Sequence, residues 1–526
     1  FGCDDAVNIR LHYSAAKEYT RDRRSGGIRK VDNSIGDRVD IMICDIRSYI
    51  TAMHYMCAFN KKEDIITYWD EPTISLDYDE HPCHAIIKEN WANNIIPNMV
   101  LSSATLPTME ELSPTINDFV SKFDGAVVTS IVSYDCKKTI PLINKGGFVE
   151  MPHFMYDEYL DVKTCAQYCL GHKTLLRYID LMASVEFIET VCEHFPSAIS
   201  VRYSIDRQFT DLMEITMINV KLYYLALLQN IDPLQWTTIK QYLCSRREQR
   251  HISNVLISTS DAHTLTDGAT IFLADDVNKI AKFYLQRAAI PDVVLGNIMK
   301  TIDFNAVINS KMSILNKSLE DLQAKDEAAG NDNKLGDIKR GTPETKAIKS
   351  KLDSLVKCIK TVSLPNKYVP NTSEHLALYT AKDSADTRAF QPSITDDEVE
   401  RIMLIDDVED KWKLLLLMGI GVFASHASDR YTEIMKHMAQ EQKLYLIIAS
   451  TDFIYGTNYQ FCHGYLSTDL DGMSQEKAIQ AMGRVGRNKL QHDYTIRFRN
   501  DGILKRIFEH DANKPEVANM AKLFNS

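Results

Sequence analysis

The chain has no long uninterrupted apolar run. No apolar run approaches the ~20 residues of a bilayer span, and the greasiest helical stretch, Leu212 to Leu228, is broken by Glu214, Asn219 and Lys221. No signal-peptide pattern stands at Phe1. Its eleven cysteines form no paired framework, which in a long chain fits a reducing, intracellular setting. Cys165, Cys169 and His172, with Cys192 and His194 beyond, match none of the usual structural zinc spacings. Buried thiols on helices are expected there instead. Net positive charge is missing too. At −11, the overall field does not attract a polyanion, and a nucleic-acid partner would have to be met by local basic patches.

What remains is ordinary globular composition, 45% hydrophobic and 25% charged over 526 residues, enough for about two to four domains. Short apolar runs suited to buried parallel strands occur at Val39–Cys44, Asp64–Trp69, Ile95–Leu101, Val255–Ile257, Thr270–Ala274, Ile420–Phe423 and Leu444–Ala449. Helical periodicity fills Phe187–His194, Leu212–Leu228 and Trp236–Arg247, broken at Asp232-Pro233. Val307, Ile308, Met312, Leu315, Leu319 and Leu322 keep near-heptad spacing, as do Ile348, Leu352, Leu355, Ile359 and Val362. Between them lies a polar, glycine-bearing stretch, Gly330–Gly336. Two antiparallel helices with a flexible tip are expected, as an interaction arm for a protein partner or as a strut.

Several strands run into polar residues where an α/β sheet meets its ligand. Asp70-Glu71-Pro72-Thr73 ends the second run. Adjacent carboxylates there suit nucleotide hydrolysis, Asp70 holding Mg²⁺ through water and Glu71 orienting and deprotonating the attacking water. A strand-ending Asp-Glu is also common without such a role. Ser102-Ser103-Ala104-Thr105-Leu106-Pro107 ends the next, as hydroxyl partners for those carboxylates or as a helix N-cap. Ser450–Asn458 follows the last apolar run, and Tyr465–Thr468 comes after it. The stretch Gln480–Arg487 then places two arginines three apart, each behind a glycine, with Gln480 four residues ahead of Arg484. Glycines permit close backbone approach, and paired guanidinium forks can neutralise a transferring phosphoryl group. The plain alternative is a solvated helix with surface arginines. Two further basic sites carry the same double reading, phosphate contact or solvated surface: the glycine-bearing loop Arg21–Lys30, and Arg246, Arg247 and Arg250.

DEPT, SSATLP, STDFIYGTN and QAMGRVGR stand in the order and strand-end context of the motifs of superfamily 2 helicases. The chain resembles DEAD/DExH-type helicases, and its long helical inserts are most similar to those of large DNA viruses. The resemblance implies an α/β fold of two RecA-like parallel-sheet domains with helical insertions, ATP and Mg²⁺ in the cleft between them, and single-stranded or duplex RNA or DNA across both. On that reading residues 1–135 are the first RecA-like domain and 136–253 a helical insertion joined to it. Residues 254–300 and 386–526 are the second domain, interrupted by the arm at 301–385. Asp70 and Glu71 match the metal-and-base pair, Ser103 and Thr105 the coupling motif, and Thr451, Gly456 and Asn458 the motif touching nucleotide and strand, with Asn458 where many members carry Asp. Gln480, Arg484 and Arg487 match the final motif, Arg487 as the finger. A viral member would work in host cytoplasm, nucleus or virion.

One element is missing. No GxxxxGK[ST] phosphate loop occurs anywhere, and Gly26–Lys30 lacks both its spacing and its hydroxyl. Because the family's loop precedes every motif found here, it is expected upstream of Phe1, and this stretch alone would bind ATP poorly. The competing readings are a tandem RecA-like scaffold without turnover and a DNA translocase of the same superfamily.

Overall fold

The computed structural model describes residues 19–21, 28–30, 39–132, 134, 136–248, 268–328, 343–378, 390–424, 428–451, 459–487, 494–511 and 514–525. It is an α/β protein whose two larger strand pairings are both parallel. Strands β1 (Tyr19–Arg21) and β2 (Ile28–Lys30) form a short antiparallel pair. Strands β3 (Ile66–Asp70) and β4 (Asn98–Ser102) pair in parallel, with Asp70 opposite Ser102. The second sheet comprises β5 (Leu142–Ile143), β6 (Thr270–Leu273), β7 (Ile420–Phe423), β8 (Leu446–Ala449), β9 (His463–Leu466) and β10 (Thr495–Phe498). Its order is β5-β10-β9-β6-β8-β7, parallel throughout.

The two sheets bury their strands differently. In the second, every residue of β6, β8 and β9 is buried, as expected of a parallel sheet covered on both faces. In the first, Trp69, Met99 and Leu101 pack on a core made by the helices Pro82–Asn93 and Pro515–Leu523, while Ile66 (67% exposed) and Tyr68 (63%) face outward. Among the described residues only one face of the pair is covered, so Asp64–Trp69 is a half-buried strand and not the buried one its composition suggests. Val39–Cys44, also read as a strand, lies outside any ladder, with Ile41 and Ile43 exposed. The run Val255–Ile257 and the polar tip of the arm lie outside the described residues.

The helical unit between the sheets takes its place from packing. The apolar faces of Tyr159–Gly171, Leu181–His194 and Met217–Asn230 share one continuous core with the second sheet. Just ahead of them, β5 extends that sheet at its edge against β10. The unit therefore belongs with the second α/β region and not with the first, to which the sequence reading joined it. The reason is that β5, only two residues long, is too short to register as a strand by periodicity. Cys165 and Cys169 are buried in this core, and His172 closes its helix on the Tyr168 carbonyl at 3.0 Å. No disulfide links the described cysteines.

The arm forms from Asp292–Ala328 and Pro343–Val356. Asn305 exchanges hydrogen bonds with the backbone of Lys360, while Lys311, Ile314 and Leu315 line a groove of about 470 Å³ with Lys351, Ser354 and Leu355. Rising numbers on one helix meet falling numbers on the other, so the pair is antiparallel. No helix among the described residues is long and apolar enough to cross a membrane.

Candidate active site

The site begins where β3 ends. Asp70 closes the strand, and Glu71 continues its ladder by one bond, its N–H donating to the Ser102 carbonyl at 2.7 Å. Pro72 then blocks further pairing. The residue before a proline is pushed out of the right-handed helical region, and Glu71 adopts φ +50°, a conformation uncommon outside glycine. Its carboxylate is held in turn. Ser103, at the end of β4, donates its hydroxyl to Glu71 Oε2 at 2.6 Å. Ser103 Oγ also accepts from the Thr105 N–H at 3.2 Å and lies 3.4 Å from the Thr73 hydroxyl. Asp70, one residue earlier on the strand, stays exposed.

The opposing wall comes from the second region. Helix Gln475–Met482 begins at Ser474, whose side chain caps the Lys477 N–H, and presents Gln480 on its last turn. Gln480 Nε2 donates to Thr105 Oγ1 at 2.6 Å and lies 3.5 Å from Glu71 Oε2. Gln480 Oε1 is buried with no hydrogen-bond partner among the described residues. After the helix the chain turns tightly through Gly483–Gly486. The Gly486 N–H donates to the Phe461 carbonyl at 2.8 Å, and Val485 bridges Phe461, just ahead of β9. Gly464 makes room for that turn, since a Cβ there would stand 3.0 Å from Val485 Cγ2. Arg484 is buried behind the turn. Arg487 keeps an exposed face, and its Nε donates to the Gly483 carbonyl at 3.0 Å. Its guanidinium pKa is lowered first by burial and then by the Arg177 guanidinium, while the Glu71 carboxylate pulls it back up.

Five of the expected residues thus converge from segments four hundred positions apart: Glu71, Ser103 and Thr105 from one region, Gln480 and Arg487 from the other. The site joins the carboxyl ends of β3 and β4 to the amino end of β9. Thr451 is buried just past β8, at the carboxyl end of the second sheet and hence on the side away from Val485. Gly456 and Asn458 lie outside the described residues.

Contacts beyond the motifs also fasten the walls together. Lys477 pairs with Asp77 at 2.7 Å, both side chains at most 10% exposed. Burial opposes the Lys477 charge, but the hydrogen bonds and charges of Asp77 and Tyr78 together outweigh it and raise its pKa. The chain's last helix, Pro515–Leu523, reaches across to the first region. There Asn519 Nδ2 donates to the carbonyls of Leu76 and Tyr78, Lys514 pairs with Glu111 at 2.8 Å, and the Phe524 ring sits 5.3 Å from Trp69 and 5.0 Å from Trp91. Lys477 was within reach of sequence reasoning, three residues ahead of Gln480 on the same face. Nothing local marks Asp77 or Phe524.

Among the described residues one group has ligand atoms spaced for a metal ion, Glu398, His437 and Glu441. It lies outside this site and already holds a cation, the Lys443 ammonium, 2.7 Å from Glu398 and 2.6 Å from Glu441. No protein-family model matches this chain, and no curated protein is significantly similar to it.

Proposed function

We propose that this protein is an ATP-dependent helicase or translocase, in which two RecA-like α/β regions hydrolyse ATP between them and move on RNA or DNA. The observation that carries the reading is the Glu71 carboxylate, fixed by Ser103 of its own region and approached by Gln480 of the other. A strand-end carboxylate oriented by a hydroxyl suits a general base for water, and a guanidinium opposite suits charge developing on a phosphoryl group.

The donor set fits Mg²⁺-ATP on the terminal-phosphate side. Asp70 offers an exposed carboxylate to a hydrated cation. Gln480 Oε1 is a buried acceptor without a partner among the described residues, suited to a water or hydroxyl proton. Arg487 supplies positive charge, and Arg484 stands behind it. When bound, Mg²⁺-ATP provides the phosphoryl group and its leaving group. This chain's residues orient water, take up its proton at Glu71 and stabilise charge at Arg487. The coupling is direct, because Thr105 and Gln480 share one hydrogen bond across the regions, so domain separation breaks the environment of the base.

A scaffold reading keeps one specific observation in its favour, the lack of a phosphate loop in this sequence. ATP hydrolysis by the full-length protein, stimulated by single-stranded RNA or DNA, tests between them. Stimulated turnover supports the enzyme, and ATP-independent binding of nucleic acid or protein supports the scaffold.

A further inference from the structure

The arginine turn is gripped by two cations from the helical unit. Arg177 Nη2 donates to the carbonyl oxygens of Val485 at 3.0 Å and Gly486 at 3.2 Å. Lys138 Nζ donates to the same Gly486 carbonyl at 2.8 Å and to the Tyr494 hydroxyl at 3.2 Å, lying 4.6 Å over that ring. These are the last two carbonyls before Arg487, so they set where its side chain leaves the backbone.

The grip leaves little freedom. Gly486 sits at φ +75°, and a Cβ there would meet Ile140 Cδ1 at 2.7 Å and Arg177 Nη2 at 3.2 Å. Arg177 is itself anchored. Its own carbonyl accepts from the Ile140 N–H at 2.9 Å, and the preceding carbonyl, Leu176, accepts from Lys221 Nζ at 2.8 Å. Lys221 is fully buried on helix Met217–Asn230. A rigid path therefore runs from the middle of the helical unit to the turn: Lys221, Leu176, Arg177, Gly486, Arg487. It also has an electrostatic consequence. Arg177 sets a second positive charge beside Arg487, offset in part by the Glu71 carboxylate, and this repulsion costs free energy until an anion arrives. The cluster is thus preorganised for negative charge rather than for a neutral contact.

We infer that Arg177 and Lys138 are positioning residues for the arginine finger, and that the helical unit exists in part to hold Arg487 at the terminal phosphate of a nucleoside triphosphate. The inference rests on the reading of the site as an ATPase. A positioned group placed about 1 Å wrong can cost on the order of 10²-fold in rate, so Arg177→Ala should lower kcat by roughly that factor and leave KM for ATP nearly unchanged. Arg177→Lys, which keeps the charge and one donor, should recover part of the loss, and Lys138→Met should lose less than Arg177→Ala.

The test is a double-mutant cycle in the full-length protein, with single-turnover ATP hydrolysis as the readout and circular dichroism to confirm folding. Because Arg177 acts through Arg487, adding Arg177→Ala to Arg487→Ala should cost almost nothing further. A role confined to stability would instead multiply the two losses. Full turnover in both Arg177→Ala and Lys138→Met, with Arg487→Ala inactive, overturns the positioning role and leaves the ATPase reading intact. Full turnover in Arg487→Ala removes Arg487 from the mechanism and overturns this inference alone, whereas no hydrolysis by the unmutated protein overturns the ATPase reading and this inference with it. If Arg177→Ala does not fold, Lys138→Met and Arg177→Lys carry the same cycle.

Discussion

Glu71 and Gln480, 409 residues apart in the chain, bring their side chains to 3.5 Å, with Thr105 bonded to the same amide nitrogen at 2.6 Å. That contact is one of several polar ones by which the two α/β regions meet. On the proposed function, it makes the state of the Glu71 carboxylate depend on whether the regions are closed, as coupling hydrolysis to movement would require. Four expected outcomes follow from the surrounding geometry.

Phe524 should hold the regions together. Its ring fills the space between Trp69 and Trp91, and Phe524 is fully buried in a core of residues from both regions. Truncating a buried phenylalanine costs about 3–5 kcal/mol, here concentrated on the docking of the first region. Phe524→Ala should increase the radius of gyration in solution scattering. It should also speed proteolysis in the segment around Val127, Ile131 and Val132, whose side chains are exposed. An unchanged scattering profile would show that Lys477–Asp77 and the arginine turn suffice.

Gly486→Ala should be far more damaging than an average surface substitution. It demands a left-handed backbone from alanine, about 1–2 kcal/mol, and drives a methyl group into Ile140. The melting temperature should fall and turnover should fall further, because the finger moves with the turn. Replacing Gly472, which has nothing within 4 Å of a Cβ position, is the control and should change neither.

Glu516→Gln should stabilise the protein at neutral pH. Burial raises the pKa of this carboxyl. One oxygen accepts from Ser474 at 2.6 Å, and the other is buried with no hydrogen-bond partner among the described residues. A carboxyl whose folded pKa lies above its unfolded value favours folding below the unfolded pKa and loses that contribution as pH rises through the folded one. The glutamine, which never ionises, should therefore melt higher at pH 7–8, on the order of a degree or two. The difference should vanish below the usual carboxylate range. Melting curves at three pH values decide it, and a destabilised variant at pH 8 would mean that the charge is compensated in the folded state.

Much of this was legible in the sequence, and the part that was not has physical causes. Five strands of four or five residues announced themselves by apolar runs or by the residues that end them, and so did the arm, because long periodic segments carry their own signal. The convergence of Glu71, Ser103, Gln480 and Arg487 was expected from the family resemblance that the motifs carry. What escaped were elements whose meaning is tertiary. The two-residue β5 pairs only because β10 is there, the last helix docks on a region more than four hundred residues earlier, and Arg177 lies in a short 3₁₀ helix, Lys173–Tyr178, with no local pattern. The exposed face of β3 was misjudged because composition reports what a strand can bury, not what covers it.

The chemistry itself is expected to fail at either wall of the site. Glu71→Gln keeps the shape and the Ser103 bond but removes the base, so ATP and nucleic-acid binding should survive while hydrolysis falls by roughly 10²–10⁴-fold. Arg487→Ala should lose on the order of 10³-fold or more by removing charge stabilisation. The double variant should be little worse than either, since both act on one step.

Single-turnover ATP hydrolysis by the full-length protein, with saturating single-stranded RNA or DNA, measured for the unmutated chain, Glu71→Gln and Arg487→Ala, addresses the central claim most directly. The account expects stimulated hydrolysis that both substitutions abolish while nucleic-acid affinity persists. Near-normal hydrolysis in both variants, or none in the unmutated protein, would contradict it.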